Sequence, residues 1–414
     1  MYDIILWGAT GFTGRQAARY FHQHYGAGTS SNGAAIKWAI AGRNRAKLEQ
    51  TKQWLNAPDL DVFVVPGADA VAADNLACST RVIAATVAPA AKYATEMVKA
   101  CIKHGTDYCD LSGELHWIRA MIDGYDSQAR AQGVKILNAC GFDSIPSDLG
   151  VMVLQNAAKK RFGEYCCHIK NGFHRGHIAV SGGSFASGKG VMEAIAHDAP
   201  LADLIANPNS LNPRDTMAGN ALPELDKVTF DRDFDCYVMP FPMGGINTRI
   251  VRRAHSLTRF QYGEEFIYEE VKLAGKGIIN KFKAQAETFV TKLFVEGNPD
   301  SRFTRILHGL GPKEGDGPSD EDIKRFGPFS FRLIGTTPSG KTIKGYVYSD
   351  WDPGHGGTAA MLCETAYCLA MERERINKVG GFTTTSIAMG EVLLQRLRHF
   401  ARVEIDVGEW PSKS

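Results

Sequence analysis

Between residues 1 and 150, short apolar runs alternate with stretches in which apolar positions recur at helical spacing. That pattern predicts buried strands alternating with amphipathic helices. The predicted strands are Asp3–Trp7, Ile36–Ala41, Asp61–Pro66, Arg81–Thr86, Tyr108–Asp110 and Lys135–Asn138; Ala90–Lys103 and Ile118–Gln132 are predicted helices. Gly105 and Gly133 stand where these helices should end, because glycine accepts the left-handed backbone of a C-terminal cap. The Gly/Ser/Ala-rich stretch Gly26–Gly33 is expected as a loop. Repeated strand–helix–strand units with right-handed crossovers make a doubly wound parallel sheet, an α/β fold.

Beyond Gly150 the pattern changes. Cys166–Phe173, Cys236–Met239 and Phe329–Gly335 read as strands, Glu265–Leu273 as a helix and Asp316–Asp322 as an exposed turn. A second α/β domain with a mixed sheet is expected, its strand order open. Thr358–Met371 and Thr384–Phe400 are helical patterns, and Thr383, Thr384 or Thr385 offers an N-cap hydroxyl after Gly380-Gly381. These helices are expected to return and pack near the first sheet. The predicted organisation is 1–150, a nucleotide-binding domain; 151–346, a substrate and dimerisation domain; and 347–414, C-terminal helices.

The opening strand runs into three glycines, Gly8-Ala9-Thr10-Gly11-Phe12-Thr13-Gly14, followed by a helix-compatible stretch. A glycine turn between strand and helix presents backbone N–H groups to a pyrophosphate. Gly8 would make the turn, Gly11 would admit the phosphates, and Gly14 would let the helix pack closely on the strand. Thr10, Phe12 and Thr13 belong to the same cradle. Where an NAD site usually carries Asp or Glu at the end of the second strand, this chain has Gly42-Arg43-Asn44, with Lys47 one turn later. A guanidinium there pairs with a 2′-phosphate that a carboxylate would repel, so NADP is expected over NAD. The bland alternative is a pair of solvated cations at a helix start, a place the helix dipole disfavours. Asn44 also suits the helix cap. Thr86 and Ala88, at the small-residue end of the fourth strand, leave room for ribose and nicotinamide, or simply pack under a helix.

The remaining bulk properties remove alternatives. The chain has 414 residues, enough for two or three domains at roughly 100–200 residues each. A net charge of +2, with no run dense in Lys or Arg, offers no footprint for nucleic acid. Apolar stretches are too short or too interrupted to span a bilayer, and Met1-Tyr2-Asp3 leaves no room for a secretory signal, so a cytoplasmic protein is expected. Nine cysteines without a Cys-x-x-Cys pair read as reduced thiols, with Cys78, Cys101, Cys109 and Cys140 as small core residues and Cys166-Cys167 on opposite faces. His174 and His177 lack partner ligands at suitable spacing, so no metal site is predicted.

Three stretches carry polar groups expected at the carboxyl edge of the sheet: Tyr108–Glu114, Cys140–Gly150 and Ser181–Lys189. Glu114, Asp143, Ser147, Asp148 and Ser184 are the candidates for positioning a substrate. Each has a structural reading beside it. Asp143, Ser144 or Ser147 caps the helix near Pro146; Glu114 faces a helix dipole; Ser184 is an N-cap. No pair of residues identifies a general acid.

Taken together, these stretches resemble the saccharopine dehydrogenase-like oxidoreductases. The match runs through Gly8–Gly14, Ala41–Asn44, Asp110–Glu114, Gly141–Asp148, Ser181–Ser184 and Asp352-Pro353-Gly354-His355-Gly356-Gly357-Thr358-Ala359. The resemblance implies a Rossmann-type domain, a second α/β domain, NADP-linked chemistry and a homodimer through the second sheet. The trans-acting enoyl reductases of lipid synthesis form a neighbouring group. Relatives often have Gly-Pro and an aromatic residue where this chain has Ala88-Pro89-Ala90, so an aromatic wall is missing or comes from elsewhere. Around Asp143-Ser144-Ile145-Pro146 the chain also departs from authentic saccharopine reductases, and the family name does not give the substrate. Hydride transfer to or from an amino-acid-derived C=N bond is the first expectation, with Arg249, Arg252 and Arg253 as candidates for substrate carboxylates. Enoyl reduction of a lipid-like substrate is the second, and a non-catalytic NADP-binding scaffold or redox sensor the third.

Overall fold

The computed structural model describes residues 1–26, 35–178, 181–196, 198–217, 222–295, 317, 321 and 326–411. In chain order its strands are β1 (Tyr2–Trp7), β2 (Trp38–Gly42), β3 (Asp61–Val64), β4 (Thr80–Ala85), β5 (Asp107–Asp110), β6 (Lys135–Leu137), β7 (His168–Arg175), β8 (Thr229–Asp231), β9 (Cys236–Pro240), β10 (Ile267–Gly275), β11 (Phe329–Thr336), β12 (Thr342–Ser349), β13 (Gly381–Thr383) and β14 (Val403–Val407). They form two sheets of seven, ordered β13-β6-β5-β4-β1-β2-β3 and β14-β12-β11-β7-β10-β9-β8.

The first sheet is parallel throughout. Ile4, Ile5 and Leu6 are fully buried, as expected when helices cover both faces and the strand becomes a continuous apolar run. The strand order reverses at β1, so the β1 and β4 carboxyl ends open onto a crevice. The second sheet is mixed: β7 and β10 run parallel, and the remaining pairs are antiparallel. The long helix Gly356–Met371 lies against β1, β4, β5 and the helix Phe12–Tyr25, burying nearly its whole length. The C-terminal segment thus returns to the first sheet, where β13 pairs with β6, while β14 closes the second sheet beside β12.

Several expectations need correction. Glu265–Leu273 is not helical: Ile267–Gly275 is a strand, hydrogen-bonded between β7 and β9. Its Glu and Lys residues suit a helix, but pairing on both sides overrides that preference, and Tyr268 and Glu270 alternate inward. Ala90–Lys103 is two helices, Ala90–Tyr93 and Thr95–His104, and Thr384–Phe400 divides at Gly390, whose φ of +45° breaks the helix. Gly105 and Gly133 do cap their helices with left-handed backbone. All nine cysteines are free; Cys78 is exposed rather than in the core, at the end of Ala70–Ala77. Most of Gly26–Gly33 and of Asp316–Asp322 lies outside the described residues.

Candidate functional site

Gly8 follows β1 with φ +96°, and a Cβ there would lie 2.7 Å from Thr86 Oγ1. A Cβ on Gly14 would lie 2.1 Å from the Gly8 carbonyl oxygen, so only glycine lets the helix Phe12–Tyr25 start this close to the strand. The Gly11 amide donates to the Gly8 carbonyl at 3.0 Å, and the Thr86 hydroxyl donates to the same oxygen at 3.1 Å. No side chain caps this helix and no acidic residue sits in its first turn. Its leading N–H groups are therefore left for an anion, as a diphosphate requires.

A cavity of about 310 Å³ opens over this loop. Gly8, Thr10, Gly11, Phe12, Thr13, Arg43, Asn44, Lys47, Thr86 and Ala88 all line it; Gly14 does not, because it lies behind in the helix–strand contact. None of the described residues lining it is acidic, whereas Arg43 and Lys47 stand together on one wall. Asn44 caps the following helix by accepting from the Lys47 amide at 3.0 Å while facing the cavity. Sequence reasoning missed Tyr93, an aromatic wall on the Arg43 side: the guanidinium lies 5.9 Å from its ring centre and 3.4 Å from its hydroxyl. Ser181 and Gly183 also line the cavity. The residues present fit an NADP molecule: a bare helix N-terminus for the diphosphate, and cations without a carboxylate for a 2′-phosphate.

Behind the loop stands His355, from the motif near the C-terminus. Its Nδ1 is 3.3 Å from Thr13 Oγ1, and its ring meets Phe12 edge-on at 4.6 Å. Asp352 positions it by accepting from the His355 and Gly356 amides, both at 2.8 Å. Burial lowers the imidazole to about 4, so it is neutral at physiological pH. In the tautomer that carries its proton on Nδ1, the ring N–H donates to Thr13 Oγ1, which leaves the threonine hydroxyl hydrogen to meet an anion. His355→Ala is expected to weaken NADPH and NADH by the same factor, about three- to tenfold in fluorescence titrations. A loss confined to NADPH contradicts this role.

The substrate candidates divide. Glu114 is buried and does not line the cavity; its carboxylate accepts from the Ala90 and Ala91 amides at 2.7 and 3.1 Å and from Ser187 Oγ at 2.8 Å. It caps a neighbouring helix and ties the turn after β4 to the helix Gly182–Ala196. Asp148 accepts from Thr385 Oγ1 at 2.8 Å and from the Ser386 amide and hydroxyl at 2.7 and 2.6 Å, anchoring the C-terminal segment. Thr384 holds the N-cap position there, but its hydroxyl turns to Asp148 at 3.4 Å. Ser184 is exposed and is not the N-cap; Ser181 accepts its amide at 3.3 Å. Ser144 holds the N-cap position before Ile145–Phe162 without a side-chain cap bond.

Ser147 leads to a group that sequence reasoning missed. Its hydroxyl donates to Glu270 Oε2 at 3.0 Å, Tyr268 Oη donates to the same oxygen at 2.7 Å, and Asn247 Nδ2 donates to Oε1 at 2.7 Å. Burial raises Glu270 to about 7 even against these donors. Asp143, half-buried and without a side-chain hydrogen bond among the described residues, is raised by burial to about 6 and repels Glu270. Period-two alternation in Ile267–Leu273 was the signal for Glu270, masked by the helix-forming Glu and Lys.

Arg249, Arg252 and Arg253 are buried, and each donates to at least one group inside the protein, although the Nε atoms of Arg249 and Arg252 have no partner among the described residues. Arg249 pairs with Glu224 and the Ile205 carbonyl, Arg252 donates to the Tyr268 carbonyl, and Arg253 donates to the Leu211 and Phe382 carbonyls. Among the described residues no group of three His, Cys, Asp or Glu side chains is arranged to hold a metal.

Residues 4–137 match the saccharopine dehydrogenase NADP binding domain family. The chain is 33% identical over 414 residues to the trans-acting enoyl reductase of Mycobacterium tuberculosis, covering 96% of this chain and 95% of that protein. It is 34% identical over 415 residues to the trans-acting enoyl reductase of Mycobacterium leprae, with the same coverage. Among solved structures, apo saccharopine dehydrogenase (L-Glu forming) from Saccharomyces cerevisiae aligns with a TM-score of 0.50 at 12% identity, over 98% of this chain and 99% of that one. At that identity the likeness speaks for the fold alone.

Proposed function

The chain belongs to the saccharopine dehydrogenase-like family of NADP-binding oxidoreductases, and from that premise we propose that it reduces the activated C=C bond of a lipid-like enoyl substrate. The observation that carries this reading over its rival is the state of Arg249, Arg252 and Arg253. Reduction of an amino-acid-derived C=N bond needs cations open to the substrate carboxylate beside the cofactor, and none of these three lines the cavity over the Gly8–Gly14 loop; each is buried and donates to a group inside the protein. The relatives named trans-acting enoyl reductase, similar along nearly their whole length, support the same choice.

The Gly8–Gly14 loop binds the diphosphate through main-chain amides, and Arg43 with Lys47 holds the 2′-phosphate. When bound, NADPH supplies a hydride to the β-carbon of a double bond conjugated to a carbonyl, and the α-carbon then takes one proton. Of the candidate acids, Asp143, raised by burial to about 6 and without a side-chain hydrogen bond among the described residues, is the one assigned to that proton, although it does not line the cavity over the Gly8–Gly14 loop. Glu114 keeps the turn after β4 in register with the Gly182–Ala196 helix, so that cofactor and substrate are held by one frame.

The test is NADPH oxidation with an α,β-unsaturated acyl thioester and, in parallel, with a cyclic imine carrying a carboxylate. Turnover of the thioester alone is expected; turnover of the imine alone restores the C=N reading, and tight NADPH binding without turnover of either points to a scaffold or redox sensor. Arg43→Ala is expected to weaken NADPH about tenfold or more and NADH hardly at all in calorimetric titrations. Equal losses overturn the 2′-phosphate assignment.

A further inference from the structure

The helix Ile278–Val295 packs against β9 and β10 of the second sheet, and it is turned inside out. Among its described side chains, those of residues 278–292, the buried ones are small, Ala284 and Thr288. Among the same described side chains the large apolar ones face outward: Ile278, Ile279, Phe282, Phe289 and Val290 are each between 57% and 68% exposed. At 100° per residue these five fall on one continuous arc of about 120°, with Ala286 inside it. Ordinary amphipathic helices put such an arc on the core.

The borders of the arc are basic. Lys281 and Lys292 flank it on one side and Lys283 on the other, and the acidic residue Glu287 is paired with Lys272 from β10. Long lysine stems beside an apolar arc carry their ammonium groups to the level of a phosphate headgroup while the rings go deeper. Among the described residues no helix is long and apolar enough to cross a membrane, which leaves a helix that lies along a surface.

We propose that this helix docks the protein on an anionic phospholipid surface, with Phe282 and Phe289 entering the acyl boundary and Lys281, Lys283 and Lys292 meeting the headgroup phosphates. Charge complementarity selects this occupant, since a second copy of the same face would set lysine rims against each other. The inference does not depend on the substrate, and the cofactor loop lies on the other sheet.

Flotation with phosphatidylcholine vesicles, with and without phosphatidylglycerol, tests it. The wild type is expected to float with the anionic vesicles and to be released by salt. The double variant Phe282→Ser/Phe289→Ser is expected to lose at least about tenfold in bound fraction, and Lys281→Glu/Lys283→Glu/Lys292→Glu to lose the dependence on phosphatidylglycerol. Both should keep wild-type affinity for NADPH. Three results overturn the proposal: a wild type that stays with the soluble fraction, equal binding to neutral vesicles, or a dimer in light scattering that the Phe282→Ser/Phe289→Ser variant dissolves, which assigns the face to a second copy.

Discussion

Asp143→Asn is expected to lower kcat for NADPH-dependent enoyl reduction by about two to three orders of magnitude, with NADPH affinity changed by less than about twofold. Asparagine keeps the shape of the side chain and removes the transferable proton. The pH profile carries the sign. Burial raises Asp143 to about 6, so the donor form is fully present well below that pH and is lost as pH rises through it. Wild-type kcat should therefore fall towards alkaline pH, and the variant should lose that limb. Folding offers an independent check. An acid whose folded pKa is raised opposes stability once it ionises, that is, above its unfolded pKa, so removing the charge should not lower the melting temperature at neutral pH. A variant that is inactive but also unstable would point to a packing role; a variant of unchanged kcat would place the proton elsewhere.

The largest stability effect is expected at Arg396. Its Nε is 2.7 Å from Glu364, which is fully buried, and its Nη2 donates to Tyr25 Oη at 2.7 Å. The guanidinium lies 3.6 Å over the ring centre of Tyr367 and 4.6 Å from that of Phe400. Tyr20 also donates to Glu364 at 2.8 Å, so the pair joins the first helix of the chain to two C-terminal ones. Arg396→Met leaves the buried Glu364 carboxylate with tyrosine hydroxyls but without its counter-charge, and a cost of about 3–5 kcal/mol is expected in chemical denaturation. Glu364→Gln combined with Arg396→Met should recover much of that cost, because the penalty comes from the unpaired ion rather than from the missing pair. Additive losses would contradict this account.

What could be read from sequence follows the distance between partners along the chain. The phosphate cradle is local: Gly8, Gly11 and Gly14 act within one turn, and Asn44 caps at Lys47. Such features obey spacing rules that need no tertiary knowledge. The carboxylates were another matter. Ser147 meets Glu270 across 123 positions, Asp148 meets Ser386 across 238, and Glu114 meets Ser187 across 73. Nothing in a single sequence says which distant hydroxyl a carboxylate will find. Asp148 and Ser184 therefore looked like substrate groups, although one anchors the C-terminal segment and the other is exposed in the first turn of the helix Gly182–Ala196. Glu270 was hidden by the same ignorance, because only the flanking β7 and β9 make its segment a strand.

The path of the chain between its two sheets bears on how the protein can be divided. After building six strands of the first sheet it crosses to the second, returns to lay β13 beside β6, and crosses again to place β14 beside β12. No single cut separates the sheets. A fragment ending near residue 150 would expose the flank of β6 and lose the buried helix Gly356–Met371 beneath β1 and β4. The cofactor-binding half is thus no transplantable cassette, and swapping it between relatives would require grafting two stretches of sequence at once.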